Sequence, residues 1–305
     1  MSSFAPPAQF HTPVLMVIFN RPETTKIVFD AIRSVRPSRL YIAADGPRPH
    51  VASDAAKCAA TRQIADEVDW VCEVKTLFRD SNLNCGIGPS SAITWFFEHE
   101  EEGIILEDDC LPSPSFFHFC QELLERYRDD LRIMHIGGNN FLNGWQKNNE
   151  YSYYFSISGH IWGWATWRRA WKTYDFKIRH YSTLKMKGYF DNFFVSPFER
   201  FYQLRKFDQI TAGEIDTWDY QWDFARYINS GLAIVPSKNL VKNIGFGSTA
   251  THTKNHHDKY AKIEAHEIDF PLMHPNYVLR DFEADKKYFS ILMKDRILSK
   301  LRLGG

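Results

Sequence analysis

The strongest chemical signal in the sequence is a run of three acids that follows an apolar segment. Residues 103–106 are typical of a buried strand, and Glu107, Asp108 and Asp109 come directly after them. Adjacent carboxylates at the end of such a strand repel one another and are tolerated where a cation or a fixed set of donors compensates them. Mg²⁺ and Mn²⁺ accept such oxygen ligands and complete their shell with water and substrate phosphates. The run therefore favours a site for a divalent metal and a diphosphate over an acidic turn that faces solvent.

Alternating strands and helices must position this run. Apolar segments at 14–19, 40–44 and 71–78 predict three further strands, and helical composition at 53–68 and at about 89–101 separates the later ones. This alternation predicts an α/β fold with a mostly parallel central sheet and helices on both faces.

Polar residues follow three of these strands. Ligands bind at the carboxyl ends of the strands in such sheets, and Asn20-Arg21 and Asp45-Gly46 follow the first two strands as the acids follow the fourth. The alternative is that each polar residue only caps the next helix. Gly86-Ile87-Gly88 is a fragment of a phosphate loop, and Ser90 is expected to open the helix after it, where backbone N–H groups face an anion or are simply capped. The full dinucleotide and P-loop motifs do not occur in the sequence.

Composition and charge exclude several classes of function. Lys plus Arg and Asp plus Glu number 37 each among 305 residues, so the formal net charge is zero and no nucleic-acid partner is expected. The sequence has no long apolar run and no signal pattern near its N-terminus, so a membrane span and secretion are disfavoured and a cytoplasmic location is expected. The five cysteines form no C-x-x-C pair, which suits neither a zinc ribbon nor a disulfide framework.

Several segments, in order along the chain, resemble the glycosyltransferase A fold. The similarity is to the animal N-acetylglucosaminyltransferase I family and to bacterial sugar transferases related to it, and it extends over about residues 13–255. The segments that carry it are 14–21, 43–46, 107–109 with the following 112–117, 218–219 and 245–247.

The resemblance implies how a nucleotide-sugar donor binds. Arg21 and Asp45 would hold the nucleotide, Asp108 would lie near the ribose, and Glu107 would lie near the transferred sugar. A family histidine on the helix before the acids falls near Ser90 in this sequence.

The resemblance also implies a bound Mn²⁺ or Mg²⁺ ion. Asp109 would be its main protein ligand, with Asp108 beside it. The segment 243–257 is similar to a loop that closes over the nucleotide, and His252 within it is a candidate to reach the diphosphate or the metal. A histidine that is only solvated is an equally common outcome.

A general base and an aromatic sugar contact complete the resemblance. The family's Trp-Asp pair matches Trp218-Asp219, although Asp216 and Asp223 are close enough in sequence to shift the assignment. Inversion needs such a carboxylate to remove the proton of the acceptor hydroxyl. Trp162 lies in the segment that matches the donor-contacting loop, where an aromatic face can stack on a sugar or pack in the core.

No stretch of the sequence is rich enough in Gly, Ser or Pro to act as a linker, so one domain is predicted over residues 1–280, with a nucleotide-sugar half at about 1–140 and an acceptor half at about 141–280. Residues 281–305 would form a tail, in which 286–302 are compatible with a basic amphipathic helix. Docking of this helix on the domain is favoured, and peripheral contact with the inner face of a membrane, which would suit a lipid-linked acceptor, is the alternative.

The combined prediction is a metal-dependent, inverting transferase that moves a sugar from a UDP-sugar to a hydroxyl of a glycan or glycolipid acceptor. Two alternatives remain. A sugar-phosphate nucleotidyltransferase would need a Gly-rich, basic loop after the first strand, and residues 19–23 do not form one. A non-catalytic protein that binds nucleotides or carbohydrates would keep the pocket and lack the base. Retention of configuration also remains open if Asp219 is misassigned.

Overall fold

The computed structural model of the protein describes residues 10–142, 144–145, 147, 150–246 and 262–303, with side chains up to residue 294 in the last range. The strands are β1 (Val14–Ile18), β2 (Arg39–Ala44), β3 (Glu73–Phe78), β4 (Glu102–Glu107), β5 (Cys110–Pro112), β6 (Ile133–Gly137), β7 (Tyr153–Ser156), β8 (Trp164–Trp167), β9 (Leu232–Pro236) and β10 (Val241–Asn243). The helices are α1 (Pro22–Val35), α2 (Asp54–Arg62), α3 (Asn84–His99), α4 (Pro114–Arg126), α5 (Arg168–Trp171), α6 (Tyr181–Met186), α7 (Pro197–Thr211), α8 (Asp219–Ile228) and α9 (Phe282–Leu303), with a 3₁₀ helix at Gln63–Glu67.

Eight strands form one mixed sheet in the order β3-β2-β1-β4-β8-β6-β9-β7. The neighbours from β3 to β4 are parallel, as are β6 and β9, whereas β8 and β7 run antiparallel to the strands beside them. Strands β5 and β10 pair as a separate antiparallel ribbon. The predicted α/β class with a mostly parallel central sheet is therefore confirmed.

Helices cover both faces of the sheet, and β1 shows why its sequence is apolar throughout. Val14, Met16 and Ile18 belong to a core cluster that also contains buried residues of α1 and α4. Leu15, which points to the opposite face, belongs to a second cluster that contains Phe96 of α3. A strand buried on both faces reads as a continuous apolar run, and the predicted helices on both faces are confirmed.

The strand predicted at 71–78 is present as β3, which lies at the edge of the sheet with each of its residues at least partly exposed. Strand β8 has no counterpart among the predicted strands, because its four residues fall within the segment interpreted as a donor-contacting loop. Its antiparallel pairing with β4 and β6 brings that segment to the same sheet edge as the acids.

The first half of α9 packs on the rest of the structure. Ala284, Phe289 and Met293 are buried, and Arg280 Nε donates to an oxygen of Asp285 at 2.6 Å. Asp285 also accepts a hydrogen bond from Ser156 at the end of β7. This packing agrees with the favoured docking interpretation for the part of the helix whose side chains are described. No described helix is long and apolar enough to cross a membrane. The division of the chain into domains stays a prediction.

Candidate functional site

Arg21 and the acidic run come together at the carboxyl ends of β1 and β4. Helix α1 begins at Pro22, a position that proline favours. Arg21 therefore lies between the end of β1 and the start of this helix, at the edge of the sheet. Its guanidinium pairs with Asp108 and, through Nη1, with Asp109 Oδ2 at 2.9 Å. Asp108 also accepts the backbone N–H of Phe19 at 3.3 Å. The guanidinium of Arg21 therefore supplies part of the positive charge that compensates the acids.

Burial and mutual repulsion perturb the acids strongly. Burial raises the pKa of Glu107 to about 8, and the charges of Asp109 and Asp108 add to this effect. Burial also raises the pKa of Asp108 to about 6, although Arg21 opposes the shift. Burial therefore disfavours full ionisation of Glu107 and Asp108 together. A cluster of this kind is typical of functional sites.

The donor atoms at this edge fit a hard divalent cation that is shared with a substrate. Among the described residues, no group of three His, Cys, Asp or Glu side chains forms a complete metal site. The converging ligands are carboxylate oxygens, and Mg²⁺ or Mn²⁺ takes one or two of these when phosphate oxygens and water fill the remaining positions. Asp109 suits that arrangement, whereas Asp108, whose two oxygens accept from Arg21 and from the Phe19 N–H, would have to release one of these donors. His252, the third candidate ligand, lies outside the described residues.

The segment after β10 lies directly over Asp109. Ile244 N–H donates to the backbone oxygen of Asp109 at 2.8 Å, and Gly245 N–H donates to Asn243 Oδ1 at 2.8 Å. A Cβ atom on Gly245 would collide with Asp109 Oδ2 and would lie 2.8 Å from Arg21 Nη1. Only a glycine fits here without displacing these side chains.

Asp45 organises the loop that leads into α3. Its carboxylate accepts the backbone N–H of Leu83 at 2.9 and 3.0 Å and the side-chain amide of Asn82 at 2.9 Å. Burial raises the pKa of Asp45, and the hydrogen bonds from Leu83 and Gly46 oppose that shift. Asp45 therefore lies at the predicted edge of the sheet, with several of its acceptor positions occupied by the chain.

Ser90 does not stand at a helix N-terminus. Helix α3 begins at Asn84, five residues before the predicted start, and includes the glycines that were interpreted as a loop. The Ser90 hydroxyl is buried and donates to the backbone oxygen of Gly86 at 2.7 Å. The predicted start of this helix was wrong by five residues, so Ser90 lies inside the helix, and its contact with a nucleotide-sugar stays a prediction.

Asp219 opens α8 and lines a cavity of about 230 Å³. Thr217 Oγ1 donates to its carboxylate, and the positive end of the helix favours a negative charge at this position. The cavity lies near the acidic run, because Trp162 in its wall contacts Phe246 at a ring-centre distance of 5.8 Å and the preceding residue, Gly245, lies against Asp109. The cavity walls come from the segment 158–162 and from helices α7, α8 and α9; the lining residues include Phe141, His160, Trp162, Tyr202, Gln203, Asp219, Asp223 and Tyr288.

Trp162 and Trp218 lie in different environments, the first in the cavity wall and the second in the core. Trp162 lines the cavity and makes edge contacts with Phe141 and Phe246, at ring-centre distances of 5.4 and 5.8 Å. Trp218 is 3% exposed and stacks on Trp164 at 5.7 Å within the core. Trp218 therefore packs in the core next to the start of α8 and does not line the cavity.

A buried network behind the cavity was missed by the sequence reasoning. Arg226 is fully buried, pairs with Asp223 and donates to the Ile157 backbone oxygen at 2.9 Å. The three-residue spacing of the acid and the arginine on one helix was a signal that could have found this pair. Because Asp223 also lines the cavity, the network connects a buried cation to the cavity wall.

His135 in the same network holds the backbone of His160, which lines the cavity. Trp222 Nε1 can only donate, so the His135 Nδ1 that it contacts at 3.2 Å must accept. His135 Nε2 therefore carries the proton and donates to the His160 backbone oxygen at 3.1 Å. Burial, aided by the charge of Arg226, holds the pKa of His135 well below its usual range, which keeps this tautomer neutral.

Comparisons with models of known protein families and with curated protein sequences gave no match. Among solved structures, HddC from Yersinia pseudotuberculosis is similar at a TM-score of 0.31 and 11% identity, over 52% of this chain and 77% of that chain. A UDP-glucose pyrophosphorylase complexed with UDP-glucose is similar at a TM-score of 0.25 and 13% identity, over 48% of this chain and 63% of that chain. Similarities at this level identify neither a family nor a substrate.

Proposed function

We propose that the protein is a metal-dependent, inverting glycosyltransferase that moves a sugar from a UDP-sugar to a hydroxyl of a glycan or glycolipid. The observation that carries the proposal is the adjacency of two acidic features. An arginine-clamped carboxylate run lies at the carboxyl edge of the sheet, and a cavity that presents Asp219 adjoins it. A leaving diphosphate and an attacking hydroxyl need these two environments side by side.

The acidic run would serve the donor. Asp109, with Asp108, would hold Mn²⁺ or Mg²⁺, which neutralises charge on the departing diphosphate when it is bound. Arg21 fixes both carboxylates in place, which limits the reorganisation needed when the donor binds. Glu107, whose pKa is raised by burial, would lie near the transferred sugar.

Asp219 would act on the acceptor. A general base must lie within hydrogen-bond reach of the hydroxyl that it deprotonates, and Asp219 lines a cavity large enough to admit part of a sugar. Trp162 on the same wall offers an aromatic face. We place the nucleotide on the side of Arg21 and Asp45, where the ends of β1 and β2 leave polar groups at the sheet edge.

The first experiment is isothermal titration with UDP, GDP, CDP and dTDP, each in Mn²⁺ and then in EDTA. UDP should bind selectively and only with the metal. Asp109→Ala should abolish this binding with little loss of folding, because Arg21 keeps its pairing with Asp108 in the variant. Metal-independent binding, or full activity of Asp109→Ala with any UDP-sugar, would contradict the proposal.

A matched series of amides then separates the enzyme from a non-catalytic binding protein. Asp219→Asn should lower turnover by about 10²–10⁴-fold and leave UDP affinity nearly unchanged. Asp216→Asn is the control, since Asp216 is exposed and does not line the cavity. If Asp219→Asn changes nothing while UDP still binds, the protein binds its ligand without this base. If Asp216→Asn is the inactive variant, the base is misassigned.

A further inference from the structure

The cavity beside the acidic run has acidic and aromatic walls. Its charged lining residues are Asp219 and Asp223, and none of the described lining residues is Lys or Arg. Lys206 contacts the rings of Tyr202 and Tyr220, at 5.8 and 5.6 Å from their centres, without lining the cavity itself. A phosphate or carboxylate group placed in this cavity would therefore meet two carboxylates and no lining cation within the described part of the chain.

Asp223 is built to accept hydrogen bonds in the cavity. Its side chain is 25% exposed, whereas that of its partner Arg226 is 0% exposed. The guanidinium bonds to Asp223 Oδ1, and Oδ2 has no hydrogen-bond partner among the described residues. The buried cation compensates the negative charge from behind, and the carboxylate keeps acceptor capacity on the cavity side. Carboxylates and amides such as that of Gln203 can bind neighbouring hydroxyl groups in this way.

The C-terminal helix contributes an aromatic wall. Tyr288 of α9 lies against His160 and Phe141, at ring-centre distances of 4.7 and 6.4 Å. Burial lowers the pKa of His160 to about 3, so that ring adds no positive charge above acidic pH. The cavity thus combines aromatic rings, which suit the C–H face of a sugar, with acceptors that suit its hydroxyls.

We propose that this cavity is the acceptor subsite and that it takes an uncharged pyranose ring, with Asp223 accepting its hydroxyl protons and Tyr288 of α9 forming one wall. The inference rests on the proposed function, because the acceptor hydroxyl must reach Asp219, which lines the same cavity. It goes further by excluding anionic acceptor rings and by giving α9 a part in substrate binding.

The test is saturation-transfer NMR on the 305-residue chain with UDP and Mg²⁺ present, because Mg²⁺ is diamagnetic and leaves the sugar signals sharp. The neutral probes are the methyl β-pyranosides of glucose, galactose and mannose. The anionic probes are glucuronic acid and glucose 6-phosphate. At least one neutral probe should bind, and both anionic probes should bind about tenfold more weakly or not at all.

Variants locate the binding in this cavity. Tyr288→Ala should weaken the neutral probe about tenfold, whereas Tyr288→Phe, which keeps the ring, should stay close to the unmodified protein. Tyr277→Ala is the matched control, because Tyr277 is exposed and lines a separate groove. Asp223→Asn should also weaken the neutral probe, and it keeps an oxygen for Arg226. Circular dichroism of each variant reports whether it is folded.

The two proposals fail separately. If UDP binds with Mn²⁺ but no neutral probe binds, or the anionic probes bind equally well, the acceptor inference is overturned and the transferase proposal stands. Neutral binding that is unchanged in both Tyr288→Ala and Asp223→Asn overturns the inference as well. If no nucleotide binds, the transferase proposal fails, and loss of probe binding in these variants would still support a site for neutral sugars in the cavity.

Discussion

Replacement of Arg226 by methionine tests the buried ion pair behind the cavity. Arg226 is fully buried, and its guanidinium bonds to Asp223 and to the Ile157 backbone oxygen at 2.9 Å. Methionine is of similar length and fills most of the same volume. Removal of one member of a buried ion pair typically costs about 3–5 kcal/mol, because the remaining charge is left uncompensated. We expect a loss of this size in the free energy of unfolding at pH 8.

The cost should fall as the pH is lowered. Burial raises the pKa of Asp223 to about 6, although Arg226 opposes the shift, so the variant should have a still higher value. A carboxyl whose folded pKa lies above its unfolded value of 3.8 contributes stability that is full below pH 3.8 and is lost as the pH rises through the folded pKa. In the Arg226→Met variant this loss of stability continues to a higher pH, because the folded pKa of Asp223 is higher there. Near pH 5, where Asp223 is largely protonated, the remaining cost is the unpaired Ile157 oxygen, about 1–3 kcal/mol.

Other groups near Arg226 do not reverse this trend. Burial is the larger cause of the low pKa of His135 and His160, and it remains in the variant, so both rings stay largely neutral over this range. Asp219 adds a negative charge near Asp223 in both proteins and favours protonation of Asp223 further.

Urea unfolding at pH 5 and pH 8, followed by tryptophan fluorescence, measures the difference. The control is Lys238→Met, which breaks an ion pair with Asp269 whose side chains are 45% and 94% exposed. That variant should lose no more than about 1 kcal/mol. An Arg226→Met variant that loses the same free energy at both pH values, or loses more at pH 5, would refute the assignment of a buried, proton-sensitive pair.

Three further substitutions test contacts at the site. Gly245→Ala places a Cβ atom against Asp109 Oδ2 and Arg21 Nη1, and we expect it to weaken metal-dependent UDP binding at least about tenfold by calorimetry; unchanged affinity would show that this backbone can move aside. Arg21→Gln removes the cation between two acids, so the variant should unfold about 3–5 kcal/mol more easily in urea with EDTA present, and an unchanged free energy of unfolding would contradict a stabilising role for this pairing. Trp222→Phe removes the donor to His135 Nδ1 and should cost about 1–3 kcal/mol in urea unfolding, and a smaller loss would show that water replaces the indole.

The sheet and its polar edge were predictable because their signals are local. The apolar runs of β1 and β4 require burial on both faces, so the acids at the end of β4 must lie at the edge of the sheet. The start of α3 was not predictable in the same way. Gly86 and Gly88 favour a loop by intrinsic preference, yet both lie in α3, where side chains that are distant in sequence approach them closely. A Cβ atom on Gly86 would collide with Asp216, a residue 130 positions away in the chain.

The pairing of Arg21 also depends on contacts that are distant in sequence. The resemblance assigns Arg21 to the nucleotide, whereas the structure shows its guanidinium on Asp108 and Asp109, 87 residues further along in the first case. Similarly, Trp218 next to Asp219 suggests a ligand contact, and only the packing against Trp164 shows that the ring belongs to the core. Residue types at strand ends reveal where chemistry is possible, and the tertiary contacts decide which side chains remain available for it.

Two carboxylates one turn apart on α8 illustrate how the fold can divide roles between similar residues. Asp223 is tied to a buried guanidinium and its proton affinity is raised by burial, so it is suited to hold a ligand in place. Asp219 lies at the first position of the helix and lines the cavity without an ion-pair partner among the described residues. A general base must present an oxygen to the substrate, and Asp219, which no guanidinium holds, meets this condition better than Asp223. The same helix would then position an acceptor with one residue and activate it with another, four positions earlier.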